Sequence, residues 1–292
     1  MRGVALLLLC GLAACNGPAD VPVTEMPTTG GANGAMWGTD AQLAPSKPDA
    51  ILRYADHPRG LAELRLPKGA GPVPLAVIFH GGCFKYGVAD QAYMSPLATR
   101  WQEQGIATLN VDYREVGDGG GWPGSFTDWA GAAKLIDQAV EGHAIDGDRV
   151  TLVGHSAGAL PALWLASPQG ADGPAGVRTP TRARAAIVLD GPGDLGREAA
   201  AFDALCQFSS VAPFMGGKPF APIAPAPEVT EVLFVQAKLP APPAASLAAV
   251  GSAGAKVTVR ENAGASHFSI ITPGDPVYTA NEAAVLNVLK GK

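Results

Sequence analysis

Gly154-His155-Ser156-Ala157-Gly158 is the stretch of this chain best suited to covalent chemistry. The short apolar run Val150-Thr151-Leu152-Val153 precedes it, and Ala159–Ala166 reads as a helix after it. A strand, a Gly-x-Ser-x-Gly turn and a helix in succession place a serine hydroxyl on a sharp, exposed kink. Such a turn needs small neighbours, and glycine on both sides supplies them. The helix behind the serine points free N–H groups and the positive end of its dipole toward the place where negative charge would develop. The chemistry implied is attack of Ser156 on a carbonyl carbon, with an acylated serine as intermediate.

Such a nucleophile needs a base. Of the five histidines, His80 and His155 belong to motifs, and His57 and His143 fall in predicted turns. His267 stands in Gly264-Ala265-Ser266-His267-Phe268, just after the last predicted strand. The order serine before histidine suits a strand–turn–helix nucleophile. His267 is expected to take the serine proton and return it to the leaving group. Gly81-Gly82-Cys83 follows another apolar run that ends at His80. Glycines there let main-chain N–H groups approach the substrate, so Gly82 and Cys83, with Ala157, are the expected oxyanion donors. His80 reads as a structural hydrogen bonder, and Cys83 is a weak rival to Ser156 as nucleophile. No His, Cys or carboxylate cluster has metal-ligand spacing, and no phosphate-cradling or dinucleotide loop occurs, so neither metal nor cofactor is expected.

The elements that must hold these residues follow from periodicity. Ile51–Tyr54 and Leu61–Leu66 alternate apolar and polar residues across His57–Gly60, which predicts an antiparallel hairpin. Val73–His80, Ile106–Tyr113, Ala185–Asp190, Val232–Ala237 and Lys256–Glu261 read as further strands, several of them solid apolar runs suited to burial on both faces. Helices are predicted over 93–104, over a segment carrying Trp129, Ala132, Ile136 and Val140, and over Tyr278–Leu289. Ser125 with Asp128 suggests a capping box for the second of these, and Asp146–Arg149 a turn into the strand before the serine. Strands alternating with helices give a mostly parallel central sheet covered by helices on both faces. His80, Ser156 and Asp190 all fall at carboxyl ends of strands, where sites in such sheets form. The Pro- and Gly-rich stretch from about Asp194 to Pro227 reads as a short cap insertion. Its Cys206, Phe208, Phe214, Met215 and Phe220 either line an acyl pocket or seal the cap onto the core.

The 292 residues are 47% hydrophobic and 16% charged with a formal net charge of -5, enough apolar material for one sizeable α/β domain over residues 49–292. That charge argues against nucleic acid as a partner. Residues 1–15 begin with one basic residue and continue as an apolar run that is too short to span a bilayer, which takes about 20 residues. They read as a secretory signal peptide. Residues 16–48, rich in Pro, Gly, Ala and Thr, read as a flexible linker.

The motifs together resemble a known group. His80-Gly81-Gly82-Cys83-Phe84, Asp112-Tyr113-Arg114, Trp122-Pro123, the serine pentapeptide and Gly264–Phe268 are similar to α/β-hydrolase esterases with an HGG oxyanion motif. These include lipase- or carboxylesterase-like, feruloyl-esterase-like and kynurenine-formamidase-like enzymes, and the likeness covers about residues 50–290. It implies the α/β-hydrolase fold and catalytic Ser156 and His267, and carboxylic esters of small or medium acyl size are the expected substrates. Arylformamide or peptide-like amide hydrolysis is the alternative within enzymes. Leu12-Ala13-Ala14-Cys15 likewise resembles a bacterial lipobox, which implies a lipid-modified Cys15 and a membrane-anchored, periplasm-facing protein, with Asn16 pointing to the outer membrane.

One departure is plain. Such esterases carry an aspartate in the loop after the strand matched by Val232–Ala237, but here no Asp or Glu occurs between Glu231 and Glu261. Asp190, one strand earlier, is the first substitute and Asp194 the second. Without either, the protein would be a slower Ser–His dyad or an impaired hydrolase acting as a binding protein. Beyond the leader only Cys83 and Cys206 remain, either paired or as two buried thiols.

Overall fold

The computed structural model describes residues 43–69, 71–168, 182–218 and 223–292. The signal-peptide reading, Cys15, most of the linker and Phe220 lie outside the described residues. The first two strands, β1 (Ala50–Arg53) and β2 (Leu61–Arg65), form the predicted antiparallel hairpin. The following elements are β3 (Val73–Phe79), α1 (Ser95–Glu103), β4 (Ala107–Val111), α2 (Gly124–Gly142), β5 (Ile145–His155) and α3 (Ala159–Leu165). The chain then forms β6 (Ala185–Leu189), α4 (Leu195–Cys206), α5 (Val211–Met215), β7 (Glu231–Gln236), α6 (Ala244–Val250), β8 (Lys256–Glu261) and α7 (Pro276–Lys290).

One eight-stranded sheet runs in the order β1-β2-β4-β3-β5-β6-β7-β8. Only the β1–β2 and β2–β4 pairings are antiparallel; the rest are parallel. This is the α/β-hydrolase architecture that the sequence implied. Successive side chains of a strand face opposite ways, so both faces of the central strands must be covered. Leu75, Val77 and Phe79 of β3 pack with Trp129, Ala132 and Ile136 of α2. Ala76 and Ile78, on the other face, pack with Leu97 and Trp101 of α1 and Val288 and Leu289 of α7. Burying a side chain the size of Ile78 or Phe79 contributes about 1.5–3 kcal/mol, so this double covering fixes the strand ends on which the site is built.

Three local expectations change. Asp146–Arg149 is not a turn but the first part of β5, with the register against β3 shifting between Val73 and Leu75. Ser125 and Asp128 do not cap α2, whose first residue follows the cis Trp122–Pro123 peptide. Instead the Ser125 hydroxyl donates to the Arg114 carbonyl (2.6 Å), and Asp128 accepts from the Arg114 main chain and guanidinium and contacts His57 at 3.1 Å. A charged group on a long side chain competes for a carboxylate better than a lone helix N–H does. Finally, Ser46, in the stretch read as linker, is held against α1: its N–H donates to the Thr99 hydroxyl at 2.8 Å and its hydroxyl to Gln102 at 2.8 Å.

Candidate active site

β5 delivers its last residue, His155, directly into a one-turn 3-10 segment, Ser156–Gly158, that runs on into α3. Ser156 sits at φ +56°, a left-handed conformation that a non-glycine residue adopts at a cost of order 1–3 kcal/mol. The turn closes so tightly that a Cβ on Gly154 would overlap the Gly158 carbonyl, and one on Gly158 would overlap the Phe79 carbonyl. The two glycines are therefore set by sterics, and they bring the serine turn against the end of β3.

From that end springs the second turn. Gly82, Cys83 and Phe84 all have positive φ, at +123°, +53° and +57°. Among the described residues the N–H groups of Gly82 and Cys83 have no protein acceptor, so both are available to a bound oxyanion. The turn is clamped from several sides. Val116 N–H donates to the Phe84 carbonyl at 2.8 Å, and Tyr86 N–H to the Val116 carbonyl at 3.0 Å. The Tyr113 hydroxyl donates to the His80 carbonyl at 2.7 Å. A disulfide joins Cys83 to Cys206 at the end of α4, which resolves the open question of those thiols. His80 spends its ring nitrogens on the Gly81 carbonyl (2.6 Å) and the Asp112 carboxylate (3.1 Å), so it is structural, as expected.

Beneath the turn lies a buried charged cluster that sequence reasoning missed. Arg59 reaches Asp112 at 2.9 Å, Glu115 at 2.9 Å and Asp118 at 3.5 Å. One guanidinium cannot neutralise three carboxylates. Burial pushes the Glu115 carboxyl well above the ordinary carboxylate range, outweighing the attraction and hydrogen bond of Arg59, and the charges of Asp112 and Asp118 add a smaller push in the same direction. Its Oε1 has no partner among the described residues and lies 2.9 Å from where a Cβ on Gly82 would stand. Asp112 and Glu115 sit beside the Asp112-Tyr113-Arg114 motif; Arg59, in a predicted turn, carried no local signal at all.

A carboxylate from one strand earlier reaches the loop after β7. β6 and β7 are parallel neighbours, and Asp190 N–H donates to the Val235 carbonyl at 2.8 Å. The Asp190 side chain therefore turns into the loop after β7, the very loop that lacks an acid of its own. There Oδ1 accepts from the N–H of Ala237 (2.8 Å) and Leu239 (2.9 Å), and Oδ2 from that of Lys238 (2.9 Å). The fourth partner is His267, whose Nδ1 lies 2.6 Å from Oδ2. Burial opposes the Asp190 charge, yet the hydrogen bond and charge of His267 and the N–H groups of Ala237 and Lys238 outweigh it and hold its pKa below 3.8. Asp194 plays a different part: it caps α4 by accepting from Gly196 N–H at 3.0 Å and pairs with Arg197 at 2.9 Å.

With Nδ1 bound to a carboxylate, His267 presents Nε2 to the rest of the site. The His267 ring packs 4.5 Å, centroid to centroid, from the ring of His155, the residue before Ser156. Among the described residues no hydrogen bond joins Ser156 to His267 without substrate; such bonds commonly form only when the reacting complex assembles. Cap residues Phe214 and Met215 are buried in the core, with Phe214 stacked on Phe84 at 4.1 Å, so they seal the cap down. Phe208 is partly buried and lies under the Lys85 ammonium at 4.8 Å.

The BD-FAE family model matches residues 63–242, more than half of the chain. The chain belongs to the BD-FAE family. No curated protein sequence matches it. Solved structures do. The inhibited esterase B from Lactobacillus rhamnosis superposes with a TM-score of 0.68 at 15% identity, covering 89% of this chain and 92% of that one. The native thermophilic esterase Est2 from Thermogutta terrifontis gives 0.61 at 17% identity, over 85% and 95%. A truncated carbohydrate esterase from gut microbiota gives 0.63 at 16% identity, over 86% and 99%. At such identities the likeness is one of fold, and it agrees with the strand order described above.

Proposed function

We propose that this BD-FAE protein is a serine hydrolase that cleaves carboxylic esters through an acyl-enzyme. The observation that carries the reading is the Asp190 carboxylate, bonded at once to three N–H groups of the loop after β7 and to Nδ1 of His267. Asp190 fixes the Nδ1–H tautomer of His267 and stabilises the imidazolium that forms. Ser156 Oγ attacks the ester carbonyl carbon while His267 Nε2 takes its proton. The negative oxygen of the tetrahedral intermediate is held by the N–H groups of Gly82, Cys83 and Ala157. His267 then gives the proton to the departing alkoxide, leaving acylated Ser156, and water repeats the sequence to release the acid.

Membership of the BD-FAE family and a fold shared with several esterases support esters as the substrate class. Acyl groups of small to medium size are the expected range, and graded ester lengths test it. The test is hydrolysis of p-nitrophenyl esters of graded length beside Ser156→Ala, together with labelling by a fluorophosphonate, which needs an activated serine. The wild type is expected to label and to prefer short esters. A Ser156→Ala protein that still hydrolyses them would end the reading.

We also propose that Cys15 carries a lipid anchor that holds the domain at the cell envelope, on the strength of Leu12-Ala13-Ala14-Cys15. The expected result is fractionation with membranes in the wild type and release into the soluble fraction for Cys15→Ser.

A further inference from the structure

Three loops meet at the site: the oxyanion turn, the serine turn and the loop of His267. The mechanism above uses none of the polar contacts between them. Gly81 N–H donates to the Tyr93 hydroxyl. That hydroxyl lies 2.8 Å from Nδ1 of His155, and Nε2 of His155 lies 3.1 Å from the His267 carbonyl oxygen. The carbonyl can only accept, so His155 carries its proton on Nε2 and its Nδ1 accepts from Tyr93. Every donor and acceptor in the chain is then satisfied in one direction, from the oxyanion turn to the histidine loop. The chain also runs beside the reacting hydroxyl: a Cβ on Gly81 would stand 2.7 Å from the Ser156 Cβ and 2.8 Å from the Tyr93 oxygen.

We propose that Tyr93 and His155 are positioning residues, forming one directional hydrogen-bond chain that locks the oxyanion turn and the His267 loop into mutual register around Ser156. This rests on the serine-hydrolase reading and deepens it. The groups facing His155 fit the assignment. Its burial and the nearby His267 ring push its pKa down to about 3, while Asp190 claims the far side of His267. His155 thus stays neutral while His267 takes up and gives back its proton, and the chain does not break during turnover. Misplacing a catalytic group by about 1 Å costs about 10²-fold in rate; losing one link of a chain held at several other points should cost less.

Tyr93→Phe removes both hydrogen bonds but keeps the ring, which packs edge-on against His155 and Phe268. We expect kcat on a p-nitrophenyl ester to fall about tenfold with KM within about twofold, because register matters to the transition state more than to ground-state binding. The Tyr93→Phe/His155→Gln double variant should be no slower than His155→Gln alone, since a broken chain cannot be broken twice. A kcat for Tyr93→Phe within about twofold of wild type, or losses that multiply in the double variant, would overturn the proposal. Nitrogen NMR of the histidine-labelled wild type tests it without any variant. It should show a neutral, Nε2-protonated His155 from pH 5 to 9; an Nδ1-protonated or titrating ring would refute it. Ser156→Ala measured alongside separates the two failures, because activity in that variant sinks the hydrolase reading itself.

Discussion

Asp190→Asn is the substitution on which the reasoning can be tested most sharply. In the wild type the carboxylate accepts four hydrogen bonds and donates none. The amide would keep its carbonyl oxygen toward Ala237 and Leu239, which share Oδ1. Its NH2 group would then face the Lys238 N–H, a donor against a donor, and would donate to His267 Nδ1. That forces the imidazole proton onto Nε2, so the ring would offer Ser156 a donor where it needs an acceptor. In a serine protease the same change lowers turnover by about 10⁴, equivalent to about 5 kcal/mol of transition-state stabilisation. With a His267–Asp190 contact of 2.6 Å, a loss of about that size is expected here. The unpaired Lys238 N–H should in addition cost about 1–3 kcal/mol of stability, so kcat must be read well below the melting temperature of the variant. The depressed Asp190 pKa fixes the sign of the pH dependence. The stability that its ionised form lends the fold is present above the ordinary carboxylate value and is lost as pH falls through the lowered one. The assay is steady-state hydrolysis of p-nitrophenyl butyrate with a urea melt of each protein. A variant whose kcat stays within about tenfold of wild type would refute Asp190 as the triad acid and leave a Ser–His dyad.

Other outcomes follow from the clamp on the oxyanion turn. The Cys83–Cys206 bridge closes a loop of 123 residues, so replacing both cysteines by serine should lower stability by about 2–5 kcal/mol, read from the shift in urea midpoint; an unchanged midpoint would contradict it. Glu115 provides a pH signature of opposite sign to that of Asp190. Its folded-state pKa is raised, so between the ordinary and the raised value the unfolded chain gives up a proton that the folded one keeps, and stability falls as pH rises. Glu115→Gln, neutral at every pH, should flatten that fall in a series of thermal melts from pH 5 to 9; a slope equal to that of wild type would show that Glu115 is ionised in the fold.

Much of this molecule was legible in the residue order because much of it is local. Sterics within five residues dictate Gly154, where a Cβ would overlap the Gly158 carbonyl, whereas Gly158 is dictated by the approach of the Phe79 carbonyl from β3. Solid apolar runs such as Val232–Val235 announce strands buried on both faces. The empty loop after β7 could also be read directly, which left Asp190 and Asp194 as candidate acids. Choosing between them took the fold, because a parallel β6–β7 pairing lays Asp190 against a loop nearly fifty positions later, while Asp194 is spent on a helix N-terminus. The same holds for the disulfide, the Tyr93–His155 chain and the cluster of Arg59, Asp112 and Glu115. The first was one of two outcomes left open by the two cysteines beyond the leader, and the other two join distant segments whose types and spacing carry no mutual signal. Local sequence sets backbone shape and periodicity sets which face is buried; which distant polar groups meet is decided only when the strand order brings their loops to one end of the sheet.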